Sequence, residues 1–92
     1  MNKAIYKYEV FLNGSDEDTL TLPKGAIFRS VYERGHKVCV WFEVDTEEKE
    51  TEDRKFVIYE TGRPFKNYRH EFLVAIFPHD AMFVFHIYEV FE

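Results

Sequence analysis

Apolar and polar residues alternate along most of this chain. From Ala4 to Leu12 the residues Ala4, Tyr6, Tyr8, Val10 and Leu12 share one face of an extended segment, while Lys7 and Glu9 fall between Ile5 and Phe11 on the other. A period of two with one apolar side predicts a strand with one well-buried face. Asn13 to Asp18 brings turn formers and acids, and Thr19 to Leu22 resumes a short strand. Leu22-Pro23-Lys24-Gly25-Ala26 then reads as a type I turn with Pro23 in its second position and Gly25 in its fourth. Two strand-like runs, 27–33 and 38–45, flank Arg34-Gly35-His36-Lys37, where the Gly-His order suits a two-residue type II′ hairpin. The second run is apolar on both faces apart from Glu43, which predicts a central strand with Trp41 as the core anchor. Arg54 to Glu60, Glu71 to Phe77 and Met82 to Phe91 complete the series, with a turn at Pro78-His79-Asp80-Ala81, and the last run also reads as central. The expectation is one all-β domain over residues 1–92, about seven mostly antiparallel strands in a small sandwich or partly open barrel.

Composition agrees with that pattern. Val, Ile, Thr and aromatic residues hold the apolar positions, while Ala and Leu number four each, the reverse of what a helical domain selects. With 46% hydrophobic residues the chain can offset its ordering entropy, so disorder is excluded. Tyr8-Glu9-Val10-Phe11 recurs as Tyr88-Glu89-Val90-Phe91. In a chain this rich in those residues the coincidence is no repeat, but it implies that the two terminal strands meet the same half-buried packing problem.

A formal charge of −5 argues against duplex nucleic acid as a partner, because non-specific affinity for phosphate comes from net Lys and Arg. Cys39 is the only cysteine and lies in an apolar strand, so it predicts a buried, inert thiol rather than a disulfide or metal ligand. The opening residues MNKAIYKYEV lack a signal-peptide core and no run approaches a membrane span, so a cytosolic location without membrane contact is expected.

Catalytic patterns are missing from the sequence. Ser15 and Ser30 lack a nucleophile-elbow context, and His36, His70, His79 and His86 stand on separate elements without HxH or HxxxH spacing. No enzyme, cofactor or metal is expected. His86 reads as a core or sheet histidine. Residues 45–53 carry six acids and one Lys, which predicts a solvated loop; the functional alternative is an acidic docking loop of Glu47, Glu48, Glu50, Glu52 and Asp53. The stretch Glu60 to His70 runs against the acidic trend. There Thr61-Gly62-Arg63-Pro64 could turn backbone N–H groups and a guanidinium toward an anion, Lys66 and Arg69 add charge, Phe65 and Tyr68 offer stacking faces, and His70 closes the set. The plain alternative is a surface connection whose cations balance the 45–53 acids and whose rings cover the edge of the core.

Ile5-Tyr6-Lys7-Tyr8-Glu9, Leu22-Pro23-Lys24-Gly25-Ala26, the Trp41 strand ending in Val44-Asp45, Phe56-Val57-Ile58-Tyr59 with Thr61-Gly62-Arg63-Pro64, and Phe83-Val84-Phe85-His86-Ile87-Tyr88-Glu89 follow one another in an order that resembles a family of small, uncharacterised bacteriophage proteins. The family usually has Gly-Thr-Gly-His-Pro where this chain has Glu60-Thr61-Gly62-Arg63-Pro64. The resemblance implies a phage accessory protein acting in the bacterial host cytoplasm, and it brings no catalytic residue. Joined to the residue reading, it leads to the expectation of a non-enzymatic protein that binds and modulates a host protein, such as a defence or nucleic-acid-processing enzyme. Two alternatives stand beside it: a protein that sequesters a small nucleotide-like anion, and a phage assembly subunit that associates through an edge strand.

Overall fold

The computed structural model describes residues 2–34, 37–77 and 84–91, without the Asn13 side chain. Seven strands run β1 (Lys3–Val10), β2 (Glu17–Pro23), β3 (Ile27–Arg34), β4 (Lys37–Asp45), β5 (Thr51–Glu60), β6 (Arg69–Ile76) and β7 (Phe85–Phe91), with one short 3₁₀ turn at Leu12–Gly14. They form two sheets that do not close into a barrel, a three-stranded one in the order β1-β4-β3 and a four-stranded one in the order β2-β5-β7-β6. Every pairing is antiparallel. No helix among the described residues is long and apolar enough to cross a membrane.

Strands β4 and β7 are interior strands of their sheets, as their two-sided apolar sequences require. The core lies between the sheets, and its centre is Phe42, fully buried, whose ring meets Tyr8 and Phe28 edge-on at 5.9 and 5.7 Å and Phe56 at 5.8 Å. Trp41, expected as the anchor, is on the opposite, outward face of β4 and only half-buried. Cys39 shares that outward face and is likewise half-buried rather than enclosed. With apolar residues on both sides of β4, the alternation alone could not say which side turned inward.

Several boundaries differ from the sequence expectation, that of β2 among them, which starts at Glu17 rather than Thr19. Strand β1 stops at Val10 because Phe11 takes a left-handed conformation, φ 56°, and its N–H donates to Asp18 Oδ2 at 3.1 Å, turning the chain away before Leu12. The Pro23 turn is shifted by one residue: the Ala26 N–H donates to the Pro23 carbonyl, which puts Pro23 first and Gly25 third, and Gly25 supplies the positive φ of 83° that a type II turn needs there. Strand β5 begins at Thr51, so Glu52 and Asp53 belong to a strand and the loop shrinks to the residues between Asp45 and Thr51. Arg34 pairs with Lys37, as a two-residue hairpin demands. The type II′ turn at Gly35-His36, the Pro78-His79-Asp80-Ala81 turn and the start of the last strand at Met82 and Phe83 lie outside the described residues.

The twin tetrapeptides occupy opposite environments. Tyr8 and Val10 face the inter-sheet core while Glu9 is exposed; in β7 it is Glu89 that points between the sheets, and Tyr88 and Val90 that turn outward.

Candidate functional site

Where β5 ends, Glu60 to Arg63 make a tight turn in which the Arg63 N–H donates to the Glu60 carbonyl at 3.0 Å and Gly62 takes a φ of 92°. That reversal sends residues 61–68 back across the outer face of the four-stranded sheet. The connection is thus shorter than the sequence reading had it, since Arg69 and His70 already belong to β6. Thr61 fastens its start: the Thr61 N–H and hydroxyl both reach the Val84 carbonyl, at 3.0 and 3.2 Å, and the hydroxyl lies 3.1 Å from His86 Nε2.

The outer face beneath is aromatic because alternate positions of three neighbouring strands carry rings. Tyr59 of β5, Tyr88 of β7, and His70 and Phe72 of β6 meet there, with Phe72 directly opposite Tyr88 in register. Phe65 closes over them, stacked on Tyr59 at 4.4 Å and 11° and within 4.7 and 4.9 Å of His70 and Tyr88. Offset-stacked and edge-on contacts of this kind add about 0.5–1.5 kcal/mol per pair beyond area burial. Phe65 and Phe72 remain 52% exposed.

One hydrogen-bond chain locks the arrangement. His70 Nδ1 lies 2.8 Å from the Tyr68 carbonyl, which can only accept, so Nδ1 carries the proton. In the neutral ring Nε2 is then an acceptor, and the buried Tyr59 hydroxyl donates to it at 2.9 Å while accepting the Lys66 N–H at 3.1 Å. The Tyr59 hydroxyl is satisfied in both roles, and the ends of the loop are tied to the sheet.

The cations expected to converge on an anion diverge instead. Arg63 pairs with Asp16 at 3.9 Å and Lys66 with Glu17 at 3.0 Å. Lys55, 3.8 Å from Glu17, sits over the Tyr68 ring at 4.9 Å, and Arg69 stacks on Phe91 at 4.7 Å. The hydrogen bond from Lys66, with the Lys55 charge, holds the Glu17 carboxyl below its ordinary range, and the same hydrogen bond raises the Lys66 ammonium. The balancing acids therefore come from the β1–β2 connection and the start of β2, not from residues 45–53. The turn N–H groups of Thr61 and Arg63 are used internally as well.

The acids of residues 45–53 are distributed rather than gathered into one docking loop. Glu47 accepts from Asn2, a Glu48 carboxylate oxygen accepts the Lys49 N–H, and Glu50 pairs with Lys24. Glu52 accepts the Gly25 N–H and Asp53 the Thr21 hydroxyl, so both brace the β2–β5 pairing.

A second feature was not anticipated. At the end of the sandwich where β5 begins, the sheets diverge around an open cleft of about 1120 Å³ that includes Ile27, Phe28, Arg54, Leu73, Glu89 and Phe91 in its walls. On its floor Arg54 and Glu89 form a bidentate pair, Nε to Oε2 at 2.7 Å and Nη2 to Oε1 at 2.8 Å, and Arg54 Nη1 also donates to the Ala26 carbonyl. Hydrogen bonding to Glu89 raises the Arg54 guanidinium above its already high ordinary value, so it stays charged. The signal was present in the sequence: Phe85, Ile87 and Glu89 share a strand face, and a carboxylate in line with core residues requires a buried cation. Arg54, 35 residues away, could not be chosen from the other cations by spacing.

Among the described residues no group of three His, Cys, Asp or Glu side chains is placed to hold a metal ion. What the outer face of the four-stranded sheet offers is apolar, π-rich contact area held rigid from below, with its neighbouring charges already neutralised. No curated protein and no solved structure matches the chain. The family model described as Domain of unknown function (DUF7352) matches residues 1–92, and the chain belongs to that family.

Proposed function

We propose that this is a non-enzymatic phage accessory protein that binds a host protein and modulates it, and that the contact surface is the ring-bearing outer face of the four-stranded sheet. The order of motifs along the chain, which resembles small bacteriophage proteins, supports the biological setting. The observation that carries the binding mode is the pair Phe65 and Phe72, each 52% exposed, one on a loop and the other on an edge strand, both in contact with Tyr88. Rings fixed in advance contribute contact area at little entropy cost, which is why aromatic anchors dominate protein interfaces. A small anion has less to gain here, because it must displace Asp16 from Arg63 and Glu17 from Lys66.

The test is capture from host lysate by immobilised wild-type protein, by Phe65→Ser with Phe72→Ser, and by Tyr32→Ser on the opposite sheet. A host protein held by wild type and Tyr32→Ser but released by the double variant is the expected result. Capture that ignores the double substitution, or no host protein at all, overturns the proposal; thermal melting of each variant establishes that it is folded.

A further inference from the structure

Of the twelve cations of the chain, only Lys7, Arg34, Lys37, Lys49 and Arg69 have no carboxylate within ion-pair distance among the described residues, and Arg69 is stacked on Phe91. Three of the five lie on one surface, the outward face of the three-stranded sheet. Lys7 of β1 is directly opposite Trp41 of β4, and Arg34 of β3 is directly opposite Lys37 of β4. Tyr32, 57% exposed, stands opposite Cys39, two residues along β4 from Trp41. Tyr32 and Trp41 are therefore diagonal neighbours on adjacent strands, about 7–8 Å apart. The register sets out a track across the sheet: a cation at Lys7, rings at Trp41 and Tyr32, and two cations at Arg34 and Lys37. On the same face Glu43 is clasped by Lys3 and Arg29, at 3.1 and 3.0 Å, and is neutralised, while Glu9, exposed opposite Cys39, is an acid on the track itself, outnumbered there by the three cations.

We infer that this face binds single-stranded nucleic acid, with consecutive bases stacked on Trp41 and Tyr32 and the flanking phosphates held by Lys7, Arg34 and Lys37. Flat rings interleaved with cations on a sheet are the elements of a stacking platform, which accepts any base because every base has a π face. A duplex hides those faces, and the net charge of −5 repels it as a whole. The distribution of charge supports the choice: on the four-stranded sheet Arg63 and Lys66 face acids of the protein itself, whereas here the cations face solvent beside the exposed Tyr32 ring and the half-buried Trp41. This surface is separate from the protein-binding face proposed above.

Trp41 is the only tryptophan, so its emission reports on the track directly. A short oligothymidylate is expected to quench Trp41 at low salt, with affinity falling on a log–log slope of about −2 for three single-strand phosphate contacts. Arg34→Ala with Lys37→Ala flattens that slope to about −0.7. Tyr32→Ala, at a position too exposed to threaten the fold, weakens binding roughly tenfold or more and leaves the slope unchanged, and a duplex of equal length binds more weakly than the single strand. Absence of quenching by both oligothymidylate and single-stranded RNA at about 20 mM salt overturns the inference. Equal quenching by polyglutamate, insensitive to Tyr32→Ala, also overturns it and assigns the face to an acidic protein. A molar mass that doubles with concentration and removes Trp41 from quencher overturns it in favour of a second copy of the chain.

Discussion

Replacing Arg54, whose side chain is 18% exposed, by Met deletes its guanidinium and strands a Glu89 side chain of which 6% is exposed. Glu89 then loses both hydrogen bonds of the bidentate pair, and the Ala26 carbonyl loses its donor. Glu71, directly across from Glu89 on β6, adds like-charge repulsion once the cation is gone. Breaking a buried pair from one side costs about 3–5 kcal/mol, because the remaining charge keeps its desolvation penalty and loses the compensation. For a domain of this size each kcal/mol corresponds to about 4–8 °C, so the melting temperature falls by roughly 12 °C or more. The companion variant, Arg54→Met with Glu89→Leu, removes both charges and recovers most of the loss, since an ion pair is often no better than apolar residues of similar volume. Urea unfolding followed by far-ultraviolet circular dichroism measures all three proteins. A single variant that loses less than about 1 kcal/mol, or a double variant no more stable than the single, refutes the reasoning.

Phe42→Ala, at the centre of the inter-sheet core, is expected to cost about 3–5 kcal/mol in the same assay, whereas Trp41→Phe on the outward face costs under about 1. Phe65→Ala loses half a ring's burial and its stack on Tyr59, about 1–2 kcal/mol, together with the ring-current shifts that NMR detects on Tyr59. Nothing lies within 4 Å of a methyl group added at Gly25, so Gly25→Ala reads out the backbone alone and costs about 1 kcal/mol for its positive φ. Glu17, hydrogen-bonded by Lys66, and Glu43, hydrogen-bonded by Lys3 and Arg29, are both held below the ordinary carboxylate range. In that acid window the unfolded chain binds more protons than the folded one, so stability is full above about pH 4.3 and declines as pH falls through the folded values. The melting temperature measured down to about pH 3 should fall, and less steeply in Glu43→Gln; a flat or rising profile contradicts this assignment.

How far the sequence reaches is clearest where its reading met its limit by a single residue. It established strand content, the interior places of β4 and β7, and the hairpin between β3 and β4, because each follows from a period of two or from turn chemistry within a few residues. Direction was another matter. Trp41 and Phe42 are adjacent and both apolar, and only the packing of the second sheet made Phe42 the anchor and left Trp41 outside. Tyr-Glu-Val-Phe has one reading as a sequence and two environments in the fold, with Glu9 in solvent and Glu89 under Arg54.

The site divides the same way. That residues 60–70 combine rings, cations and a turn was legible in the chain, and so was the need of any buried carboxylate for a partner. The partners themselves were not, since Asp16 for Arg63, Glu17 for Lys66 and Arg54 for Glu89 are brought close by sheet pairing between distant segments. A local pattern determines that a strand has two different faces. Which face loses its water, and which charges meet across it, depends on the strands and the sheet that pack against it, and that was decided by the tertiary structure.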